Sequence, residues 1–230
     1  MKLVLFDIDG TILHGGGAGR RAINRALVEV FGSAGPADHR FDGKTDPQIV
    51  RELMRRVGHG DEHIDDRMDE LLAQYLVYLE VELRDPDQGA RVYPGVRELL
   101  DELHRHSEVM LGLLTGNLVD GARAKLRAVD IDPGMFRVGA YGSDHEDRPE
   151  LPAIAQRRAR EQLGLHVVGG DVVVIGDTPA DVACGRGIGA RAIAVATGHY
   201  SAEELASHGP AAVFRDLTNT EAVITAILEP

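Results

Sequence analysis

The sequence predicts a doubly wound parallel α/β domain interrupted by an all-helical insertion. Three observations predict it. First, short apolar, β-branched runs stand at 3–6 ("LVLF"), 109–114 ("VMLGLL"), 172–175 ("VVVI") and 192–195 ("AIAV"). Each is nearly continuous, as expected of parallel strands covered on both faces. Second, helical patterns at 94–106, 119–129 and 151–164 separate these runs. Alternating strand and helix is the pattern of a doubly wound sheet. Third, residues 16–90 carry helical spacing and no strand signal.

Taken in order, "LVLF" is the first strand, and the turn-rich "HGGGAG" at 14–19 leaves it as a linker. Ala22, Ile23, Ala26, Leu27, Val30 and Phe31 then recur at helical spacing, as do Leu71, Leu72, Tyr75, Leu76 and Leu79. A second turn-rich linker, "RDPDQGARVYPG" at 84–95, returns the chain to the α/β pattern. "FRVGAY" (136–141) and "AAVF" (211–214) read as outer strands. The expected division is a core of residues 1–15 and 91–230 with a helical unit at 16–90.

The totals narrow the class. A chain of 230 residues with 43% hydrophobic composition can bury a substantial core. Its net charge of -12 argues against nucleic acid or an anionic membrane as partner. A local cationic pocket for a small anion is compatible with that total. The single cysteine, Cys184, excludes an internal disulfide framework and fits a reducing, cytoplasmic compartment. The opening "MKLVLFDIDG" turns acidic too soon for a signal peptide, and no apolar run reaches the length of a membrane span.

Ligands of open α/β sheets bind beyond the carboxyl ends of the strands. Asp7 and Asp9 follow the first strand, and Thr115, Gly116 and Asn117 follow the second. "GSDHEDRP" with Arg148 follows 136–141, and "GDTPAD" with Asp177 and Asp181 follows 172–175. Clustered carboxylates must be protonated or neutralised by a cation. Aspartates without cysteine or suitably spaced histidine favour a hard ion, commonly Mg²⁺, which works with phosphate oxygens. Thr115 and the amides of Gly116 and Asn117 at a helix start form an anion site, and Arg148 could clamp the same anion. One aspartate could then act as nucleophile and another as proton donor.

"DIDGT", "LLTGN" and "GDTPAD", each after an apolar strand and in this order, resemble the signature motifs of the haloacid dehalogenase (HAD) superfamily. The helical insertion resembles its type-1 cap, and the phosphoglycolate-phosphatase-like members are nearest in layout. The resemblance implies a HAD-like Rossmannoid core and an Mg²⁺-dependent phosphatase. Asp7 would be the nucleophile and a metal ligand. Asp9 would be the general acid and base, with its carbonyl on the metal. Asp177 would be a ligand, with Asp181 beside it or one shell out. Thr115 and Asn117 would hold the phosphoryl group. The dehalogenases lack a second carboxylate at the position of Asp9, so phosphoryl chemistry is expected. The partner would be a small phosphorylated substrate, and the protein a monomer or weak dimer.

One departure concerns the family's usual lysine before GDxxxD, where this chain has Arg148-Pro149. Lys125 is the rival. With a helix starting near Leu118, Lys125 falls roughly 10 Å along the axis from the crevice, which favours Arg148. In the insertion, "FDGKTDPQI" (41–49) reads as a helix cap by Thr45 or Asp46, while the resemblance implies a cap loop whose Lys44 and Thr45 face an anionic substrate.

Plainer readings accompany these. Asp7 and Asp9 could be a turn, and Asp181 a residue favoured by a helix dipole. "HGGGAGRR" lacks the Lys-Ser/Thr of a phosphate loop and reads as a hinge, with His14 a solvated residue. "SDHEDR" reads as a polar loop rather than a metal site, and "HGDEH" (59–63) as a helix–helix turn. Three functional alternatives stand beside phosphatase: a phosphomutase of the same superfamily, a non-catalytic receiver-type Mg²⁺ module, and a phosphonate hydrolase using Lys44.

Overall fold

A computed structural model of the chain describes residues 1–85 and 89–229. A six-stranded sheet runs in the order β5 (Val138–Tyr141), β4 (Val109–Thr115), β1 (Lys2–Phe6), β6 (Val172–Gly176), β7 (Arg191–Val195), β8 (Ala212–Phe214). All neighbours pair in parallel. β1 is central, and the chain winds away from it in both directions. That order places a topological switch point at the carboxyl end of β1, between β4 and β6.

Side chains alternate across a strand, and here both faces are apolar. Val4, Phe6, Leu113, Ile175 and Ile193 point into one buried cluster, shared with α4 (Val96–Arg105), α5 (Val119–Ala128) and α9 (Thr220–Leu228). Leu3, Leu5, Leu114, Val172 and Val174 point into another, shared with α6 (Leu151–Leu163) and Cys184 at the end of α7 (Pro179–Cys184). This double coverage is why the strands read as unbroken apolar runs. A short helix α8 (Ala202–Ala206) covers the β7–β8 end. The two expected outer strands are the two edges of the sheet.

The insertion consists of α1 (Ala18–Phe31), α2 (Asp46–Arg56) and α3 (Asp61–Glu82). Their apolar faces make a separate core around Ile23, Leu27, Leu53, Met54, Ile64, Leu71 and Tyr75. Leu118, from the start of α5, joins that core. Thr45 caps α2, accepting from Gln48 N at 3.2 Å. "HGDEH" contains the end of the α2–α3 turn, and α3 begins at Asp61.

A two-stranded antiparallel ribbon ties the two linkers together, β2 (Leu13–His14) against β3 (Arg91–Val92). Two residues per strand are too few to show periodicity in a sequence. Gly16 and Gly17 follow at φ 59° and 78°, the left-handed region that glycine adopts without a Cβ penalty. In the second linker, residues 86–88 lie outside the described residues.

Candidate active site

Asp7 directly follows β1, and its amide donates to Ile175 O at 2.9 Å, so the ladder continues through it. Its carboxyl is therefore held at the sheet edge and is almost wholly buried. Burial raises its pKa from 3.8 to about 6, against the attraction of Arg148 and with the repulsion of Asp181 and Asp9. Asp177 follows β6 and accepts from Thr11 Oγ1 at 3.0 Å. Burial, Asp181 and Asp7 push its carboxyl well above the usual range.

Asp7, Asp177 and Asp181 offer oxygens that all lie within 4.8 Å of one another. A wholly oxygen donor set that is buried, with Asp7 and Asp177 pushed toward protonation, fits a hard divalent cation. Two glycines make the approach possible. A Cβ on Gly10 would stand 2.2 Å from Asp177 Oδ2, and one on Gly198 would stand 1.8 Å from it.

Asp181 uses its carboxylate differently from Asp7. Its Oδ2 accepts from Thr178 N at 3.0 Å and Thr178 Oγ1 at 2.6 Å, closing a capping box at the start of α7. Its Oδ1 accepts from Arg148 Nη2. The same Nη2 lies 3.3 Å from Asp7 Oδ1. Arg148 is buried, at the 3-10 turn that enters α6, and its Nε has no hydrogen-bond partner among the described residues.

Thr115 ends β4 and is fully buried. Asn117 donates through Nδ2 to Thr115 Oγ1 at 2.8 Å and to Asp9 Oδ2 at 2.7 Å. Its Oδ1 accepts from Lys125 Nζ at 2.6 Å, as a donor-only ammonium requires. Lys125 Nζ is also 2.6 Å from Asp9 Oδ2. The placement of Lys125 outside the crevice is thereby corrected. Helical side chains tilt toward the N-terminus, and the four-carbon stem carries the ammonium back along α5 to the strand ends. Arg148 and Lys125 both reach the site, Arg148 on Asp7 and Lys125 on Asp9.

The "FDGKTDPQI" loop sits against the "TGN" turn. Asp46 N donates to Gly116 O at 2.8 Å, and Asp46 Oδ2 accepts from Leu118 N at 2.9 Å. A Cβ on Gly116 would meet Lys44 O at 2.0 Å, so close approach of the two loops requires glycine there. Thr45 is fully buried and donates to Glu146 O at 2.6 Å. It belongs to the seam between the insertion and the sheet, which corrects the expectation that it faces substrate. Lys44 lines the cavity but is paired with Glu52 and stands 3.3 Å from His39 Nε2.

The cavity over these groups has a volume of about 500 Å³. Besides the aspartates, Arg20, Phe41, Tyr75, Arg91 and His199 line it. Sequence reading also missed Thr197 and Gly198. They follow β7, and reading that strand end as the others were read would have found "ATGH". Thr197 Oγ1 donates to Gly10 O. The "SDHEDR" loop makes protein contacts: Asp144 pairs with Arg158 at 2.6 Å and Glu146 with Arg51 at 2.7 Å. His14 lines the cavity, its pKa lowered by burial and by Arg91.

Residues 1–189 match the haloacid dehalogenase-like hydrolases. The chain belongs to that family, on its phosphoglycolate-phosphatase-like branch. It is 32% identical to a phosphoglycolate phosphatase of Rhodospirillum rubrum, over 95% of this chain and 88% of that protein. Solved structures that share its fold include two of differing description. One is a predicted phosphoglycolate phosphatase from Haemophilus somnus, with TM-score 0.70 and 20% identity, covering 97% of this chain and 98% of that one. The other is a putative beta-phosphoglucomutase from Thermotoga maritima, with TM-score 0.62 and 20% identity, covering 99% and 100%. Family and relatives support phosphatase activity. Among the described residues no helix is long and apolar enough to cross a membrane.

Proposed function

We propose that the chain is an Mg²⁺-dependent phosphatase that hydrolyses a small anionic phosphomonoester through an aspartyl-phosphate on Asp7. The observation that carries this reading is the meeting of Asp7 with Arg148 on one side and Asp9 and Asp177 on the other, at one strand-end crevice. The phosphoglycolate phosphatases among its relatives make 2-phosphoglycolate the first substrate to test.

Asp7, Asp177 and the backbone carbonyl of Asp9 would hold Mg²⁺, with Asp181 one shell out because its oxygens already serve Arg148 and Thr178. Bound there, the ion neutralises phosphate charge and orients the reacting groups. A carboxylate oxygen of Asp7 attacks phosphorus in line while the bond to the leaving oxygen breaks. Asp9 gives that oxygen its proton. Arg148, Thr115 and Asn117 face the phosphoryl oxygens and gain strength as charge spreads over them. Water then attacks phosphorus, Asp9 takes its proton, and the bond to Asp7 breaks to release phosphate.

Residues 16–90 act as a cap on this site, swinging on Gly15, Gly16 and Gly17. Water must be excluded in the first step and admitted in the second, which an opening and closing cap achieves. Cys184, buried with its thiol pushed up to about 12, suits a reducing cytoplasm. The test is phosphate release from a phosphomonoester panel, including 2-phosphoglycolate, with and without Mg²⁺. No release from any member would end the reading. Recovery of an isomerised sugar phosphate in place of free phosphate would convert it to phosphomutase.

A further inference from the structure

We propose that Lys125 is a positioning residue that holds Asp9 in its proton-transfer pose, and that the helical insertion completes this hold by walling in the Lys125 ammonium. The inference rests on the reading of Asp9 as general acid and base.

Asp9 is the most exposed of the site carboxylates, with a side chain 44% accessible against 7% for Asp7 and 2% for Asp181. Burial does not fix it. Its Oδ2 is instead held by two donors, Lys125 Nζ at 2.6 Å and Asn117 Nδ2 at 2.7 Å. Lys125 holds Asn117 as well, through Oδ1 at 2.6 Å, so one ammonium sets both the proton donor and the amide beside Thr115. Two charge-assisted bonds converging on one nitrogen form a closed triangle of Lys125, Asp9 and Asn117. Among the described residues Oδ1 of Asp9 has no such partner, which leaves it as the oxygen for a proton.

A lysine stem is flexible and its head strongly hydrated, so it needs walls to hold one pose. Lys125 is buried, its side chain only 6% accessible. Its walls include residues of the insertion. A Cβ on Gly19 of α1 would be 3.4 Å from Nζ and 3.8 Å from Tyr75 Oη of α3. Tyr75 hydrogen-bonds the carboxyl of Asp46, and that carboxyl feels the Lys125 charge. Asp46 in turn is bonded to Leu118 N at the start of α5. Gly121, one turn before Lys125, leaves room for Leu76 and Leu79 of α3, which a Cβ would meet at 3.4 and 3.3 Å. Docking of the insertion and confinement of Lys125 are therefore one packing event. With the insertion lifted, water would replace Gly19 and Tyr75 around the ammonium.

Removing the hold should show most in proton transfer. Donation from Asp9 to the leaving oxygen matters for an alkyl phosphomonoester. It matters little for p-nitrophenyl phosphate, whose aryloxide leaves without a proton. The second step needs Asp9 as base whatever the first leaving group was. In Lys125→Met, kcat for 2-phosphoglycolate, or for the best alkyl phosphomonoester found, should fall roughly 10²-fold. With p-nitrophenyl phosphate the variant should release a burst approaching one equivalent of p-nitrophenolate, as phospho-Asp7 waits for water. KM for p-nitrophenyl phosphate should fall together with kcat, because slow hydrolysis of phospho-Asp7 lowers both. Asp9→Asn should show the same burst, and the double variant should lose no more than the worse single.

Lys125→Gln, which keeps a donor without charge, should fall between Lys125→Met and native protein. Equal losses on both substrates without a burst, in both Lys125 variants, would overturn the proposal, and so would additive losses in the double variant. Variants that bind Mg²⁺ and melt near native temperature but keep native kcat would do the same. A burst in Asp9→Asn with none in the Lys125 variants would overturn the role of Lys125 alone. If Asp9→Asn leaves turnover intact, the reading of Asp9 fails first.

Discussion

Arg148 reaches Asp7 and Asp181 through the same nitrogen: Nη2 is 3.3 Å from Asp7 Oδ1 and also donates to Asp181 Oδ1. A third contact of that nitrogen, to Leu114 O, is 3.4 Å. The planar fork is therefore not used bidentately here, and a point charge at the Nη2 position would serve much of the same purpose. Arg148→Lys is expected to keep activity within about tenfold of native. Arg148→Ala should lose roughly 10²–10³ in kcat. It should also melt lower, because a buried pair that loses one partner costs about 3–5 kcal/mol. Steady-state kinetics and thermal melts of the two variants check this; equal loss in both would mean that the guanidinium shape matters.

Asp7→Asn is expected to cut turnover by at least about 10³-fold while the protein stays folded. The fold should not need the charge, because burial works against it and raises the Asp7 pKa to about 6. Circular dichroism, melting temperature and phosphate release on one preparation decide the point. Substantial turnover by this variant would remove Asp7 from the nucleophile role.

The same shift sets a pH dependence for Mg²⁺. An acid raised from 3.8 to about 6 on folding keeps its proton in the native protein between those values while the unfolded chain has lost it. The native state then binds more protons, so this group's effect on stability turns unfavourable as pH rises through that window. Asp177 acts in the same direction. A cation displaces those protons, so the melting-temperature gain from Mg²⁺ should be small near pH 5 and larger near pH 7.5. An equal gain at both would place the ion elsewhere than on Asp7 and Asp177.

Gly198→Ala tests the crevice from the opposite side. Its Cβ would stand 1.8 Å from Asp177 Oδ2, a distance no structure accommodates without movement of the carboxylate. The expected result is weaker Mg²⁺ binding, seen as a higher Mg²⁺ concentration for half-maximal activity, with lower melting temperature. Unchanged Mg²⁺ dependence would show that Asp177 can move without cost.

Much of this site was legible because its residues follow apolar runs. Asp7 and Asp177 stand one step beyond strands that no soluble loop resembles, Thr115 is the last residue of another, and the sheet order brings these strand ends together. The helical insertion was equally legible, since Ile23, Leu27, Leu71 and Tyr75, which recur at helical spacing, form its core. Lys125 was misplaced because distance along a helix axis ignores which way a side chain leans. Thr45 stood between two readings because a cap and a substrate contact look alike in sequence, and it proves to be the cap of α2. The β2–β3 ribbon leaves no periodic trace, and Thr197 and Gly198 were legible but follow a strand whose end was not read.

Two cations of the insertion, Lys44 and Arg20, line the cavity where substrate would lie. Lys44 was the residue visible in the sequence, in a loop close to the site. The structure pairs its ammonium with Glu52, also bonded by Gln48 and 3.1 Å from His39. Its charge is therefore already balanced. Arg20 lies in the same cavity wall and, among the described residues, makes no ion pair. Its guanidinium carbon stands over the Phe41 ring, 3.8 Å from the centroid, and Nη2 donates to His39 O at 2.9 Å. Stacking leaves the charge available and fixes its direction. A substrate with a second anionic group, such as the carboxylate of 2-phosphoglycolate, should use Arg20. Arg20→Ala is expected to raise KM for 2-phosphoglycolate by roughly tenfold or more, as loss of one charge-assisted hydrogen bond implies. It should leave KM for p-nitrophenyl phosphate within about twofold, since that substrate has no second anion to lose. Lys44→Ala should change both constants little, because Glu52 screens the charge it removes. The comparison is a two-substrate kinetic profile for the two variants against native protein. A larger effect from Lys44→Ala than from Arg20→Ala would mean that Glu52 releases Lys44 when substrate binds, and selectivity would then lie in the loop before α2.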